Sequence, residues 1–238
     1  MKSLIHRTFA RTLAFGALSF GLFGSVLTAT PALALSEEQI AQQRATVLAY
    51  VVEGENGPVY SEDTELGLIN LLAFMSAQSA RNFIESSGEN AASLEVVPTN
   101  LERIHQAIEQ ADDDSLRIAL IPEEAEVQQA LAVDADYEGG VPLFFAQFED
   151  GSLLPLQQGG EGEPIFPMFF SRADLDESLT GLAETAPDVY AEISVGVVPL
   201  PVVLNRITTS DDELLSRIRM LPADVVDAIR QNSGESAN

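Results

Sequence analysis

Residues 45–132 and 141–230 carry the same succession of apolar and polar positions, in the same order. Each stretch opens with a run of strand-forming residues, Val47–Val52 and Val141–Phe148, followed by a glycine-bearing hairpin signal, GENGPVY or EDGSLLPL. A second apolar run ends at a serine in both copies, Leu71–Ser76 and Phe166–Ser171. Serine favours a helix start because its hydroxyl accepts a hydrogen bond from a free N–H of the first turn, and Asp174 stands three residues after Ser171 as in a capping box. The spacing predicts helices over 77–86 and 172–184, the second with Leu175, Leu179 and Leu182 on one face.

The parallel continues. Strands over 94–98 and 193–199 each end in Val-Val-Pro, and each opens a second helical segment, since proline stops a strand and can start a helix. A charged turn follows, at 112–114 and 211–213, then a strand-like run ending in Ile121-Pro122 or Leu221-Pro222. Closing helices come last, with Val127, Ala130 and Leu131 turned inward in one and Val225, Val226 and Ile229 in the other. Matching points lie 95, 101 and 100 residues apart, at Ser76/Ser171, Pro98/Pro199 and Pro122/Pro222. The expectation is a mixed α/β (α+β) fold of two pseudo-symmetric repeats of strands and helices. Neither repeat is a Rossmann unit, because the glycines sit in hairpins rather than between a strand and a helix.

The ends and the joint complete the organisation. Lys2, Arg7 and Arg11 precede the apolar run 13–28, and Ala32-Leu33-Ala34 offers small residues for a signal peptidase, so residues 1–34 are expected to be a cleaved signal peptide. Residues 35–44 form a lead-in, 45–132 the first repeat, 133–140 an acidic linker, 141–231 the second repeat and 232–238 a disordered tail. No later stretch approaches ~18 uninterrupted apolar residues, so an exported protein without stable membrane insertion is expected.

Composition narrows the chemistry. The 238 residues include 37 acidic and 12 basic side chains, giving a formal charge of −25, and the leader contributes three of the basic ones and no acidic one, so the processed chain stands at −28. That balance repels nucleic acid. Cysteine is absent and Lys2 is the only lysine, which excludes thiolate and, after processing, Schiff-base catalysis. His105 falls at the apolar spacing of Leu101, Ile104 and Ile108, as a half-buried packing residue, and no Gly-x-Ser-x-Gly elbow is present. The segment Asp134–Gly139 copies the first half of a calcium loop, yet its twelfth position is Phe145 where a bidentate carboxylate is needed. The glycine-rich run 159–163 lacks the cation and helix start of a phosphate cradle. No catalytic residue, metal site or cofactor is expected, and the protein is not read as an enzyme.

What remains is apolar surface. In 141–148, Val141, Leu143 and Phe145 alternate with Pro142, Phe144, Ala146 and Phe148, and both sets need cover. The same holds for 165–170. A sheet between helices would bury them all; an open groove would leave some free to grip varied apolar sequences, for which aromatic and Met side chains are suited. The candidate client-binding residues are Phe144, Phe148, Phe166, Met168 and Phe170. An apolar carrier for lipid would use the same surface.

Gly-Val-Pro-Leu-Phe-Phe (140–145), Pro-Met-Phe-Phe-Ser-Arg-Ala-Asp-Leu (167–175) and the paired proline-led helix starts, behind a leader and in two diverged copies, resemble the Tic-22-like family over about residues 45–230. That family comprises a soluble component of the chloroplast inner-envelope translocon and its cyanobacterial relatives. The first copy departs from the pattern, with Ala49-Tyr50 where the second has Phe144-Phe145. The resemblance implies a butterfly-like pseudo-symmetric protein with apolar pockets. It further implies a chaperone for unfolded precursors or outer-membrane protein clients, working beside translocon or assembly machinery. The address would be the periplasm, the thylakoid lumen or a plastid intermembrane space, with a link to outer-membrane biogenesis.

Overall fold

Local signals place the helices. In the computed structural model, which describes residues 35–156, 163–210 and 212–221, Ser76 caps α2 (Ala77–Ser86) by accepting the Ser79 N–H at 3.1 Å, and Ser171 caps α5 (Arg172–Thr185) by accepting the Asp174 N–H at 3.4 Å. The lead-in is itself helical: α1 (Glu37–Ala45) has a reciprocal capping box between Ser36 and Gln39. The signal was legible as Ser-x-x-Gln. The expected signal peptide, the glycine-rich positions 159–162, the closing helix expected for the second repeat and the expected tail all lie outside the described residues.

The strands form two sheets with one plan. In the first, β5 (Glu95–Asn100) lies antiparallel to β1 (Leu48–Gly54), β1 antiparallel to β4 (Leu68–Phe74), and β4 parallel to β6 (Leu116–Ile121). In the second, β9 (Ile193–Pro199), β7 (Pro142–Phe148), β8 (Phe166–Phe169) and β10 (Ile218–Leu221) repeat that order and those directions. The short strands β2 (Gly57–Pro58) and β3 (Tyr60–Asp63) extend the first sheet alone.

Register fixes which residues correspond. Tyr50 pairs with Phe74 as Phe144 pairs with Phe169, and Leu48 pairs with Asn100 as Pro142 pairs with Pro199. Asn100 and Pro199 are the N-caps of α3 (Leu101–Ala111) and α7 (Leu200–Thr209), the latter preceded by the short helix α6 (Pro187–Ala191) and β9. The two Val-Val-Pro signals are therefore not equivalent. Pro98 sits two residues short of the strand end, opposite Tyr50, and β5 continues to Asn100; the proline is accommodated because β5 is an edge strand, where a missing N–H leaves no ladder bond unmade.

Strand alternation divides each sheet into an outer and an inner face. On the outer face of the first, Val52 and Phe74 pack with Ala80 of α2, and the Phe74 and Phe83 rings meet at 5.3 Å. On the outer face of the second, Phe144, Ala146 and Phe169 pack with Leu175 and Leu179 of α5 and Ala130 of α4 (Glu124–Val133). The closing helix of the first repeat thus covers the sheet of the second. Leu131 is 39% exposed rather than inward, and Val133 takes its place in the cluster. The inner faces of both sheets share one core, in which Val47, Ala49, Leu71 and Ala73 join Leu143 and Met168 around Leu101, Ile104, Leu200 and Val203 of α3 and α7.

Candidate functional site

The inner face of the second sheet is only partly covered. Here α3 packs against both β5 and β6 of its sheet, whereas α7 packs against β9 and α8 (Glu213–Arg217). A groove of about 800 Å³ is left beside α7, within the range of roughly 300–1,000 Å³ found for ligand clefts. Its floor is Phe145, Phe148, Phe166, Met168, Val198 and Ile218; one wall is Val202, Val203 and Arg206 of α7, another is Leu214 and Leu215 of α8, and the 149–152 hairpin with Leu153 and Pro155 closes an end. The rim carries both charges, with Arg206 and Asp212 exposed. Asp212 is also the cap of α8, accepting the Leu214 N–H at 2.9 Å, so its carboxylate is held in place.

The floor is shaped by one cross-strand pair. Phe145 lies opposite Gly196, and a Cβ built on Gly196 would stand 2.5 Å from Cε2 and Cζ of the Phe145 ring. The ring therefore lies flat across the β9 backbone, in space that any side chain at 196 would fill. At the equivalent positions of the first sheet, Val51 faces Val97, two β-branched side chains that stand up from the sheet and fill the layer.

Of the five residues expected from sequence, the structure brings Phe148, Phe166 and Met168 together in this groove. Met168 is buried at its base, while Phe148 and Phe166 are half-buried. Phe170 instead lines a second cleft of about 310 Å³ together with Leu48, Tyr50, Met75, Pro142 and the two capping serines. Phe144 is completely enclosed, between the second sheet and the helices α4 and α5, and faces no groove. Sequence reasoning missed Phe145, Val198, Val202 and Leu214. Alternation had placed Phe148 with Phe144, but the tight reversal at 148–152, in which Phe148 N–H donates to Ser152 O at 2.9 Å and Gly151 N–H to Phe148 O at 2.9 Å, ends the strand and brings Phe148 to the groove with Phe145.

Away from the groove, titratable groups do structural work. His105 is half-buried on α3 with its Nε2 3.2 Å from Glu109 Oε1, one turn on. In the linker, Tyr137 is buried, its hydroxyl donates to Gly140 O at 3.2 Å, and burial holds its phenol protonated, with the pKa pushed up to about 12. Asp134 accepts the Asp136 N–H at 2.9 Å, an Asx turn that uses a carboxylate of the calcium-like segment for backbone capping.

This two-sheet plan occurs in known proteins. The sequence profile of the Tic22-like family matches residues 10–224. The chain belongs to that family. The solved structure of Anabaena Tic22, described as a protein-transport protein, superposes with a TM-score of 0.67 at 24% identity, over 83% of this chain and 97% of that one. Tic22 from Plasmodium falciparum superposes with a TM-score of 0.61 at 14% identity, over 84% of this chain and 99% of that one. At these identities the likeness establishes the fold. No curated protein matches the chain. Among the described residues no helix is long and apolar enough to cross a membrane.

Proposed function

We propose that this Tic22-like protein is an exported protein-transport factor that binds unfolded or amphipathic client segments in the groove beside α7, holding them without bond-making of its own. The observation that carries the reading is the half-exposed aromatic floor: Phe145, Phe148 and Phe166 remain open to solvent in a fold that encloses Phe144 and Phe169 completely. An apolar groove walled by a helix suits a client presenting an apolar stripe, which gains by burying that stripe against Phe and Val side chains. Phe and Met side chains fit varied sequences, because aromatics supply large contact area and Met adapts its shape. The acidic surface keeps such a loaded complex soluble and draws basic segments toward it. Family membership supports a role in protein transport, and the leader-like sequence at 1–34 supports a periplasmic or intermembrane address; outer-membrane proteins are the clients proposed there.

The test is a holdase assay. An unfolded outer-membrane β-barrel protein is diluted from urea with an equimolar amount of the purified protein, and light scattering is followed. Delay of aggregation is the expected result, and Val202→Asp, which adds a charge to the exposed wall of the groove, is expected to abolish the delay while leaving the urea midpoint nearly unchanged. No delay by the parent protein defeats the reading. Lipid co-purifying in stoichiometric amount and displaced by no peptide would replace it with a carrier function.

A further inference from the structure

The helix α7 stands between two apolar clefts. At 3.6 residues per turn, Leu200, Val203 and Ile207 share the face that is buried in the core, while Pro201, Leu204, Asn205 and Thr208 fall on one flank and Val202 and Arg206 on the other. The second flank is a wall of the 800 Å³ groove. The first bounds a cleft of about 450 Å³, whose far side is Leu101 and His105 of α3 with Ile118 and Leu120 of β6. Ile118, Leu120 and Leu204 are half-buried there, so this cleft offers aliphatic side chains where the groove offers aromatic ones. The two share no lining residue. Val202, Asn205 and Thr209, all exposed, point away from the core and form the crest between them.

A cation stands beside that crest. Arg206 is exposed, and its guanidinium has no ion-pair or hydrogen-bond partner among the described residues, whereas Arg44, Arg172 and Arg217 each meet a carboxylate, at 2.8, 2.9 and 3.5 Å. With 37 acidic side chains against 12 basic ones, acids to pair an arginine are plentiful in this chain. An arginine left bare between two apolar clefts is complementary to a carboxylate that a partner brings. The span is set by the helix itself. An α-helix with its side chains is ~10–12 Å across and an extended chain advances ~3.3 Å per residue, so about four extended residues lead from one cleft to the other. The same four residues as helix would reach only ~6 Å.

We propose that the two clefts act together on one client, a segment with two apolar clusters joined by an extended spacer of about four residues that contains an acidic side chain. The client straddles α7: one cluster sits in the groove, the other in the cleft at α3 and β6, and the spacer carboxylate meets Arg206. The inference rests on the client-binding reading and adds to it the pattern a client carries. Holding both clusters is tighter than holding either, because once the first is seated the second meets its cleft at an effective concentration on the order of mM. A single apolar cluster, or two joined by a spacer too short to cross the helix, draws nothing from the second cleft.

Synthetic peptides test it at physiological ionic strength, where the net charge of the chain is screened beyond ~8 Å and a contact pair persists. A peptide with two Leu/Phe clusters and a four-residue Gly/Ser spacer containing one Glu is expected to bind at least about tenfold tighter, by fluorescence anisotropy, than a peptide with one cluster or with a one-residue spacer. Thr208→Asp, a change at an exposed position of the smaller cleft, should bring the two-cluster peptide down to single-cluster affinity. Exchanging the spacer Glu for Lys should weaken binding about two- to fivefold, and Arg206→Gln should abolish that difference. With benzoylphenylalanine placed in the two clusters in turn, irradiation should label the groove from one and residues 101–120 from the other. Equal affinity of one- and two-cluster peptides, or labels from both clusters confined to the groove, overturns the inference and leaves the client-binding reading standing. A preference for Lys over Glu in the spacer overturns the assignment to Arg206. No binding of any peptide overturns both readings.

Discussion

The two sheets share strand order, directions and register, yet the inner face of the first is opened only by a cleft of about 450 Å³ at Leu101, His105, Ile118 and Leu120, where the second holds a groove of about 800 Å³. At corresponding positions the first sheet has Val51, Leu71 and Ala73, all buried, where the second has Phe145, Phe166 and Met168, of which the two aromatics are half-exposed. Larger side chains would be expected to fill space better. Here the reverse holds, because the cover differs: α3 bridges β5 and β6, while α7 lies against β9 and leaves the floor beside it to the shorter α8 and a hairpin. One strand plan occurs twice, and a difference in helix placement together with a Phe/Gly pair leaves the larger groove on the second sheet.

The comparison can be broken most severely at two adjacent residues. Phe144→Ala empties an enclosed site and is expected to cost about 3–5 kcal/mol by urea denaturation, whereas Phe145→Ala, half-exposed in the groove, should cost only about 1–2 kcal/mol and instead weaken client binding. Equal costs would mean that the groove floor is as tightly packed as the outer face.

Gly196→Val gives the second sheet the residue that the first has at Val97. Its Cβ collides with the Phe145 ring, so an expected loss of about 1–3 kcal/mol comes with a changed groove and reduced delay of client aggregation. The reciprocal Val97→Gly, which removes a partly buried side chain and loosens the strand, should cost about 1.5–3 kcal/mol and leave client binding as it was. A Gly196→Val protein with unchanged stability and binding would show that the flat ring is not what shapes the floor.

The smallest effect tests where the repeats remain alike. Ser76→Ala and Ser171→Ala each remove a cap and should each cost about 1 kcal/mol, with the Ser171 change the milder because its bond is longer, 3.4 Å against 3.1 Å. Urea midpoints for the two single variants check it.

Much of the fold was legible because its signals are local. The capping serines and the leucine stripe located α2 and α5, and the apolar runs located β1, β7 and β9 within a residue or two. Reading both copies together exposed the repeat. The same reading went astray at Val-Val-Pro, where a similar tripeptide sits two positions apart in register, because pairing partners, not tripeptides, define equivalence. The site was legible in its composition and not in its geometry. Three of the five expected residues meet in the groove, but Phe144 and Phe145 are indistinguishable as letters, and they face opposite sides of the sheet.

The sequence by itself determined that each repeat would build a sheet whose two faces both need cover, since apolar residues occupy both alternating sets and serines set the helix starts. Only the tertiary structure decided which faces were covered, by sending α4 across to the second sheet and setting α7 to one side of it. Alternation and capping act between residues a few positions apart, whereas coverage depends on where helices from distant parts of the chain come to rest.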